Sequence, residues 1–430
     1  MVTGELLPGD RELLLRLLRI PTIGPLEAGH GEPPAELWRA QCEYADAAAG
    51  IGLRVVRHAC AGQEHTAGPA VPLAVREAAA EPGFLDLQPS LVLRLGPKLP
   101  PASTVMFNVH LDTVAGLEPV GFDGFRFTGR GAIDAKGPAV ALLAGIRAAA
   151  AAEPALGRDV AVLVQAVSGE EGGAMGTIGT RPLLDQGFYG RLNVFCEPTG
   201  LRYLTSATAS MTACVRVRGQ GAIDDRPGAG HNATVLLGSL ARHFALTLDD
   251  ADPAGALCVA GLHTGDRHNR VYGSGRLLLN LSYASSAAGA RLAERVEQAF
   301  GTGLAEFGAR FAGSAQFGRT AAEAAEITSL EWHKRGLPCL SGHDPALEAL
   351  LTEHAGVAPW PAGEPAFTCD AIWMDGRPGA FTVILGPGAL DKNNAHAEGE
   401  FAELAELDAF ATAVTGLLTG FARAHRKEAR

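Results

Sequence analysis

The stretch Thr-Val-Met-Phe-Asn-Val-His-Leu-Asp at residues 104–112 joins an apolar run to a histidine and an aspartate. The run Thr104 to Val109 has the character of a strand in a half-buried or buried sheet. His110 and Asp112 follow at positions i and i+2, which places both side chains on one face where the strand ends. The aspartate can then accept from the second ring nitrogen of His110 and fix its tautomer as a metal ligand. A chance pair at a strand end is the alternative interpretation.

Four further side chains that suit a metal stand in short motifs along the chain. They are Asp134 in Gly-Arg-Gly-Ala-Ile-Asp-Ala-Lys-Gly, Glu171 in Ser-Gly-Glu-Glu-Gly-Gly, Glu197 in Phe-Cys-Glu-Pro-Thr-Gly and His396 in Asn-Asn-Ala-His-Ala-Glu. Singly, these motifs also fit ordinary roles, such as a helix N-cap for Asp134, a surface turn for Glu197 and a solvated loop for His396. Together, two imidazoles and three carboxylates can hold two divalent ions if one carboxylate bridges them.

Glu170 stands beside Glu171, after the apolar strand Val160 to Val167 and the pair Ser168-Gly169 that ends it. Two adjacent carboxylates at the end of a sheet repel one another unless cations are near. Consecutive side chains point in different directions, so one can coordinate a metal while the other takes a proton from bound water. Glu170 is therefore the candidate general base, with a solvated acidic turn as the alternative.

Length and composition limit the class of protein. A chain of 430 residues with 47% hydrophobic and 19% charged residues predicts a folded protein of two domains. The net charge of −11 would repel a phosphate backbone, so we expect no nucleic-acid partner. Seven dispersed cysteines without a Cys-x-x-Cys pair predict reduced thiols and a cytoplasmic location. The charged N-terminal segment and the short apolar runs predict neither a signal peptide nor a membrane span.

The order of apolar segments predicts the architecture. Strands and helices alternate up to about residue 205, which is typical of an α/β domain with a mostly parallel sheet, helices on both faces and function at strand ends. Residues 206–329 change to alternating strands with intervening helices, which predicts a compact α+β insert. The α/β pattern returns after it, so we assign 1–205 and 330–430 to one discontinuous domain and 206–329 to the other.

In this order, the motifs resemble those of the M20 family of co-catalytic metallopeptidases and amidohydrolases. That family includes aminoacylases, acetylornithine deacetylase, succinyl-diaminopimelate desuccinylase, carboxypeptidase G and carnosinases. The resemblance extends over nearly the whole chain, including the opening helix, Thr368-Cys369-Asp370 and the Gly386-Pro387-Gly388 turn before His396. It implies that the larger domain is the catalytic domain and that the insert is a lid and dimerisation domain, so we expect a homodimer.

The resemblance also implies a role for each motif residue. Asp134 would bridge two divalent ions, with His110 and Glu197 on one ion and Glu171 and His396 on the other. Asp112 would orient His110, Glu170 would act as base and then as acid, and the Asp134–Ala135 peptide would be cis. Zinc suits these ligands, although manganese or cobalt also fits the oxygen-rich set, and one position could be only partly filled.

The insert departs from the family pattern at two places. Ile223 stands where relatives carry a histidine that donates to the oxyanion, and isoleucine cannot donate. The strand 277–283 ends at Tyr283, where relatives usually have an arginine that binds a substrate carboxylate. Several residues of the insert could replace these two functions and bind substrate, with ordinary roles on the lid surface as the alternative. They are Arg226, His231, Asn232, His263, His268, Asn269 and Arg270.

Three functional hypotheses follow. The first is a hydrolase that activates water on two metal ions to cleave the amide of a small N-acyl amino acid or dipeptide. The second is an aminohydrolase that releases ammonia from a non-amide C–N bond, such as that of an activated aromatic amine. The isoleucine at position 223, in place of the usual histidine, suggests this hypothesis. The third is an inactive binding homologue, which five retained ligands and a retained base disfavour.

Overall fold

The computed structural model describes residues 4–29, 31–249 and 255–428 and divides into two compact units. The first unit contains the described residues of 1–67, 74–207 and 340–430, and the second contains those of 68–73 and 208–339. The second unit extends past the predicted boundary at residue 329, because the strand Thr328–Lys334 is hydrogen-bonded into its sheet.

The described residues form α-helices that mostly follow the predicted apolar periodicity. They are α1 (Pro8–Arg19), α2 (Leu37–Ala49), α3 (Leu73–Ala78), α4 (Lys136–Ala152), α5 (Thr180–Asp185), α6 (Ala233–Leu248), α7 (Ser286–Phe311), α8 (Gly318–Ile327), α9 (Pro345–Glu353) and α10 (Leu404–Glu428). In α1 the helix starts at Pro8, so Asp10 lies in the first turn and accepts from the backbone N–H of Leu7 at 2.8 Å.

The strands of the described residues range from two-residue bridges to ten-residue segments. They are β1 (Arg54–Cys60), β2 (Pro89–Leu95), β3 (Thr104–His110), β4 (Gly121–Phe122), β5 (Arg126–Thr128), β6 (Ala161–Val167), β7 (Leu192–Phe195), β8 (Arg202–Tyr203), β9 (Ser206–Ala207), β10 (Ala209–Arg218), β11 (Ala222–Ile223), β12 (Gly255–His263), β13 (Arg270–Val271), β14 (Ser274–Tyr283), β15 (Thr328–Lys334), β16 (Leu340–Ser341), β17 (Ala358–Pro359), β18 (Phe381–Ile384) and β19 (Phe401–Glu403).

The sheet of the first unit has the order β1–β2–β6–β3–β7–β18. Strands β6, β3, β7 and β18 run parallel, while β2 runs antiparallel to both of its neighbours. The prediction of a mostly parallel sheet is confirmed. Because parallel strands end at one edge, the segments after β3, β6, β7 and β18 meet there.

Helices cover both faces of this sheet. Val105, Phe107 and Val109 of β3 belong to the apolar core that α4 packs against. The alternate residue Asn108 points to the opposite face, where its side-chain amide donates to the hydroxyl of Thr180, the first residue of α5, at 3.0 Å. His110 has the same parity as Asn108 and therefore emerges on that second face.

A glycine allows the long helices α4 and α10 to approach closely. A Cβ built on Gly145 would lie 2.6 Å from the backbone oxygen of Ala411 and 2.8 Å from Cβ of Val414. At the same contact, the hydroxyl of Thr415 donates to the Gly145 carbonyl at 3.2 Å. Both helices are rich in alanine here, so backbone proximity replaces bulky side chains in this part of the core.

The second unit contains a four-stranded antiparallel sheet in the order β12–β14–β10–β15. Leu277, Leu279, Leu281 and Tyr283 alternate along β14 as buried residues, which the period of two predicted. Helices α6 and α7 pack against this sheet and against each other. The edge strand β12 and the helix α8 were not predicted, because β12 is mostly exposed and lacks a buried alternation.

One described helical segment, Leu404–Arg426, is long and apolar enough to cross a membrane by length and composition. Within the structure 61% of its most apolar window is buried, and the helix packs against α4. Its apolar residues are therefore used in the protein core.

We predict that Gly145→Ala lowers the free energy of unfolding by about 1–3 kcal/mol, because the added methyl group collides with the backbone of α10. Urea unfolding followed by circular dichroism measures the change. Gly238→Ala in α6 is the matched control, since nothing lies within 4 Å of its new Cβ. There alanine should stabilise the helix by about 0.5–1 kcal/mol. Equal stabilisation by both substitutions would contradict the close approach of α4 and α10.

Candidate metal centre

Asp134 lies in a buried turn between the short strand β5 and helix α4. The Asp134–Ala135 peptide is cis, as the family resemblance implies, and α4 begins at the next residue. The backbone N–H groups of Gly131, Ile133 and Asp134 all donate to the carboxylate of Glu400, at 2.9, 3.0 and 3.2 Å. The turn is therefore fixed by hydrogen bonds from its own backbone to one buried side chain.

Two histidines from distant parts of the chain meet at the Asp134 carboxylate. Nε2 of His110 lies 2.9 Å from Oδ1 of Asp134, and Nε2 of His396 lies 3.1 Å from Oδ2. His110 ends a buried strand, whereas His396 belongs to the loop after β18 and has a backbone φ of 62°. Each oxygen of one carboxylate thus faces a different imidazole.

Glu171 completes this cluster from the end of β6. Its Oε1 lies 3.0 Å from Nε2 of His396. One potential ligand atom each from His110, Asp134 and Glu171 lie within 4.8 Å of one another, and all three residues are buried. The fold therefore brings together four of the five residues that the motifs predicted as ligands, which are His110, Asp134, Glu171 and His396.

The second ring nitrogen of His110 determines which nitrogen is available as a ligand. Its Nδ1 lies 2.9 Å from the backbone oxygen of Asp112 and 3.8 Å from the carboxylate Oδ1 of the same residue. A carbonyl oxygen only accepts, so Nδ1 carries a hydrogen, and Nε2 is the nitrogen that faces Asp134 and could bind a metal after losing its own proton. Asp112 thus orients His110 through its backbone rather than through its carboxylate, which accepts from the N–H of Glu171 at 3.0 Å.

Glu197 and Glu170 lie beside the cluster. Glu197 follows β7 and is buried, and its charge acts on His110, Asp134 and Glu171. Burial, together with the charges of Asp134 and Asp370, raises the pKa of Glu197 to about 8 against the opposing charge of His110. Burial and the charges of Glu197 and Asp370 also raise the pKa of Glu170 well above its usual value.

The histidines respond in the opposite sense to this excess of carboxylates. Hydrogen bonds to Asp134 and Glu171 raise the pKa of His396 to about 10. Burial alone would lower the pKa of His110, but the hydrogen bond to Asp134 and the surrounding negative charges raise it well above the usual value. Several carboxylates and two imidazoles therefore compete for protons in one buried site. Bound cations would replace those protons and compensate the negative charge of the carboxylates.

This donor set fits divalent metal ions. Two imidazole nitrogens and three carboxylates are the nitrogen and oxygen ligands that zinc, manganese and cobalt accept. His110 and His396 each have Nε2 directed at a carboxylate that can bridge. Glu170 is half-buried, and among the described residues its side chain takes part in none of the hydrogen bonds of the cluster, so it can take part in proton transfer.

Two buried acids at this site were missed in the choice of site residues. Asp370 is fully buried and accepts from the hydroxyl of Thr180 at 2.5 Å. Glu400, which is 1% exposed, holds the Asp134 turn. The Thr368-Cys369-Asp370 segment was a signal for the first acid. Glu400 stands four residues after His396, two residues beyond the quoted motif, and only the fold shows that it faces Asp134.

The residues predicted to bind substrate lie in the second unit, in two kinds of environment. His231 is buried, accepts from the N–H of Gln220 at 2.8 Å and donates to Glu323 at 2.9 Å. The side chain of Asn232 accepts from the N–H of Val235 and caps α6. Both residues therefore have structural roles, and their binding role stays a prediction. The other candidates are exposed, namely Arg226, His263, His268, Asn269 and Arg270.

The structure also shows the environments of Ile223 and Tyr283, the two departures from the family pattern. Ile223 in β11 is 54% exposed and pairs with Arg270 of β13. An exposed isoleucine forms no hydrogen bond through its side chain, so this position supplies no donor. Tyr283 is buried, and its hydroxyl donates to the carbonyl of Leu337 at 2.9 Å, which makes it part of the core of its unit.

Comparison with known proteins places this site in a family. The model of peptidase family M20/M25/M40 matches residues 106–420. A tripeptidase from Staphylococcus aureus has a TM-score of 0.69 at 15% identity, with 96% of this chain and 98% of that chain covered. Aminopeptidase PepT from Bacillus cereus has a TM-score of 0.66 at 16% identity, covering 96% and 99%. No curated protein sequence matches the chain.

A third solved structure bears on the metal. The Bacillus subtilis protein YXEP, described as a dinuclear metal binding peptidase from the M20 family, has a TM-score of 0.60 at 10% identity, with 97% and 98% of the two chains covered. At such identities the structures show a shared fold, and the family model shows the family. The chain belongs to peptidase family M20/M25/M40, and it is a metal-dependent hydrolase.

We predict that His110→Ala and His396→Ala each weaken divalent metal binding by more than about 100-fold. Loss of a residue that only orients a ligand typically weakens binding roughly 10–100-fold, and loss of the ligand itself should have a larger effect. Elemental analysis after loading and dialysis against a chelator measures the retained metal. His58→Ala is the matched control, because His58 lies on β1 and bonds to Gln41 at 2.9 Å. Unchanged metal retention in both ligand variants would contradict the assignment of the centre.

Proposed function

We propose that this chain hydrolyses the amide bond of a small peptide or N-acyl amino acid at a pair of divalent ions. The observation that carries the proposal is the placement of Asp134, whose two carboxylate oxygens face His110 and His396 at 2.9 and 3.1 Å. A carboxylate that faces one imidazole on each side is suited to bridge two ions. Zinc is the first candidate, with manganese or cobalt as alternatives.

Each half of the centre has its own protein ligands in this proposal. His110 and Glu197 would hold one ion, Glu171 and His396 would hold the other, and Asp134 would serve both. When bound, the ions would lower the pKa of a water molecule and polarise the scissile carbonyl. The Nδ1 hydrogen bond from His110 to the Asp112 backbone leaves Nε2 as the ring nitrogen that would bind the ion once its proton is lost.

Glu170 is the proton carrier of the proposal. It follows Gly169 at the end of β6, next to Glu171, and it is only half-buried, so a water molecule and a substrate can reach it. As a base it takes one proton from the attacking water, and as an acid it returns that proton to the leaving amine. No net proton is gained by the residue over the cycle. Burial and the neighbouring charges of Glu197 and Asp370 raise the pKa of Glu170, which favours the protonated form that the second step needs.

Amide hydrolysis is preferred over the release of ammonia from an aromatic amine. Solved relatives include a tripeptidase, aminopeptidase PepT and human carnosine dipeptidase 1, whose described activities concern peptides. The exposed isoleucine at 223 motivated the deaminase hypothesis, but it changes one possible donor and leaves the metal ligands and Glu170 in place. The deaminase hypothesis is therefore tested only by including aromatic amines in the assay.

Two further hypotheses concern the oligomeric state of the protein and its location in the cell. We infer a homodimer formed through that unit, and the supporting observation is the strand β12 at the edge of its sheet. Val259 and Leu262 of this strand are 38% and 39% exposed, and an exposed apolar edge strand is suited to pairing with another chain. A cytoplasmic location stays a prediction.

We predict that Glu170→Gln lowers kcat for amide substrates by about 10²–10⁴-fold while metal content stays at the wild-type level, since glutamine cannot carry the proton. The assay uses zinc-, manganese- and cobalt-loaded protein with a panel of dipeptides, tripeptides, N-acyl amino acids and aromatic amines. Released amino acids and ammonia are measured separately.

The control for this variant is Glu398→Gln, which changes an exposed glutamate in the His396 loop and should leave turnover unchanged. Ammonia release from an aromatic amine without any amide cleavage would contradict the proposed reaction. Full amide turnover by Glu170→Gln would contradict the role of this residue.

We further predict that the wild-type protein is a dimer in solution and that Val259→Lys shifts it toward monomer, because charge on an edge strand opposes pairing. Light scattering coupled to gel filtration measures the mass. Phe125→Lys is the control, since Phe125 is 82% exposed in the first unit and undergoes the same change of polarity. A monomeric wild-type protein would refute the proposed assembly.

A further inference from the structure

Glu400 is a buried carboxylate whose two oxygens are fully used by protein donors. Oε2 accepts from Nη1 of Arg130 at 2.8 Å and from the N–H of Gly131 at 2.9 Å. Oε1 accepts from the N–H groups of Ile133 and Asp134 at 3.0 and 3.2 Å. With four donors in place, this acid is better suited to organise the Asp134 turn than to bind a metal itself.

Arg130 extends the same network to the loop that carries His396. Its Nη2 donates to the carbonyl of Ala397 at 3.1 Å, and its Nε donates to the carbonyl of Gly116 at 3.0 Å. Glu400 lies four residues after His396, and its backbone carbonyl accepts from the N–H of Gly129 at 3.2 Å. Glu400 and Arg130, here called the Glu400–Arg130 clasp, therefore connect the Asp134 turn to the His396 loop at several points.

The two histidines depend on this clasp to different degrees. His110 is 1% exposed and ends a central strand that is hydrogen-bonded on both sides, so the sheet places its imidazole. The side chain of His396 is 48% exposed on a loop residue with positive φ. The loop is held by hydrogen bonds of Asn393 within its own segment and by the bond from Arg130 to the Ala397 carbonyl, which ties it to the Asp134 turn.

We propose that Glu400, together with Arg130, is a positioning residue that holds the His396 loop against the Asp134 turn and so sets the metal affinity of the position that His396 serves. The inference rests on the proposed two-ion centre. It predicts an asymmetry for Glu400→Gln. Glutamine can keep one oxygen for the N–H groups of Ile133 and Asp134, but its amide nitrogen cannot accept from Arg130. The substitution therefore weakens the His396 position and largely spares the position that His110 serves.

The test is a zinc titration of metal-free protein in competition with a chromogenic chelator. The His396→Ala variant identifies which zinc-binding step belongs to the His396 position, because that step is lost from its titration. In Glu400→Gln the affinity of this step should fall about 10–100-fold, because residues that orient ligands typically contribute this much. In the double variant with His396→Ala, the remaining step should match that of His396→Ala alone. A merely structural role for Glu400 would weaken the remaining step as well.

Glu153→Gln is the matched control, because Glu153 is also a buried carboxylate that accepts from two arginines and a backbone N–H. Its partners are Arg423 at 3.3 Å, Arg426 at 2.9 Å and the N–H of Ala155 at 3.3 Å. This variant should lose stability in urea and keep wild-type zinc affinity. Arg130→Lys, which keeps the charge but loses the planar fork, tests the clasp a second time if Glu400→Gln fails to fold.

The outcomes separate the inference from the proposal beneath it. Wild-type zinc affinity in the clasp variants, or equal weakening by Glu153→Gln, overturns the clasp and leaves the two-ion centre intact. A wild-type protein that binds no zinc, manganese or cobalt overturns both.

Discussion

The meeting of three separate chain segments at the carboxylate of Asp134 is the constraint on which the site depends. His110 reaches it from the end of a central strand, and His396 reaches it from a loop near the other end of the sequence. Because Glu171 and Glu197 add buried carboxyl groups whose pKa values burial raises, their ionised forms need compensating positive charge. Protons on the two imidazoles supply part of it in the protein alone, and divalent ions can supply it in their place.

The fold makes this meeting possible through the parallel sheet. Strands β3, β6 and β7 end at one edge and deliver His110, Glu171 and Glu197, while β18 leads into the loop of His396. Helix α4 begins directly after Asp134, and its contact with α10 at Gly145 lets both helices lie close within the core. The core and the site are thus built from the same segments, so the placement of the ligands follows from the packing of the sheet and its helices.

The sequence allowed prediction of those parts of the site that lie on regular structure. An apolar run followed by an acid or a histidine predicted each strand end, and the family resemblance predicted their common location and the cis peptide at Asp134. Glu400 was missed because its four hydrogen bonds join residues far apart in the chain. His231 and Asn232 resemble binding residues in sequence, and the fold also gives them a hydrogen bond to Glu323 and a helix cap, so their binding role stays a prediction. Strand β12 was missed because an exposed edge strand does not show the alternation of a buried one.

The number of ions lost when the carboxylate of Asp134 is replaced by a neutral amide tests the central claim most directly. Elemental analysis of zinc-loaded Asp134→Asn, beside the wild-type protein, gives this number, with circular dichroism to verify folding. The account predicts two zinc ions per wild-type chain and the loss of both in the folded variant, because each ion depends on one oxygen of the same carboxylate. A folded Asp134→Asn protein that keeps both ions at wild-type affinity would contradict it.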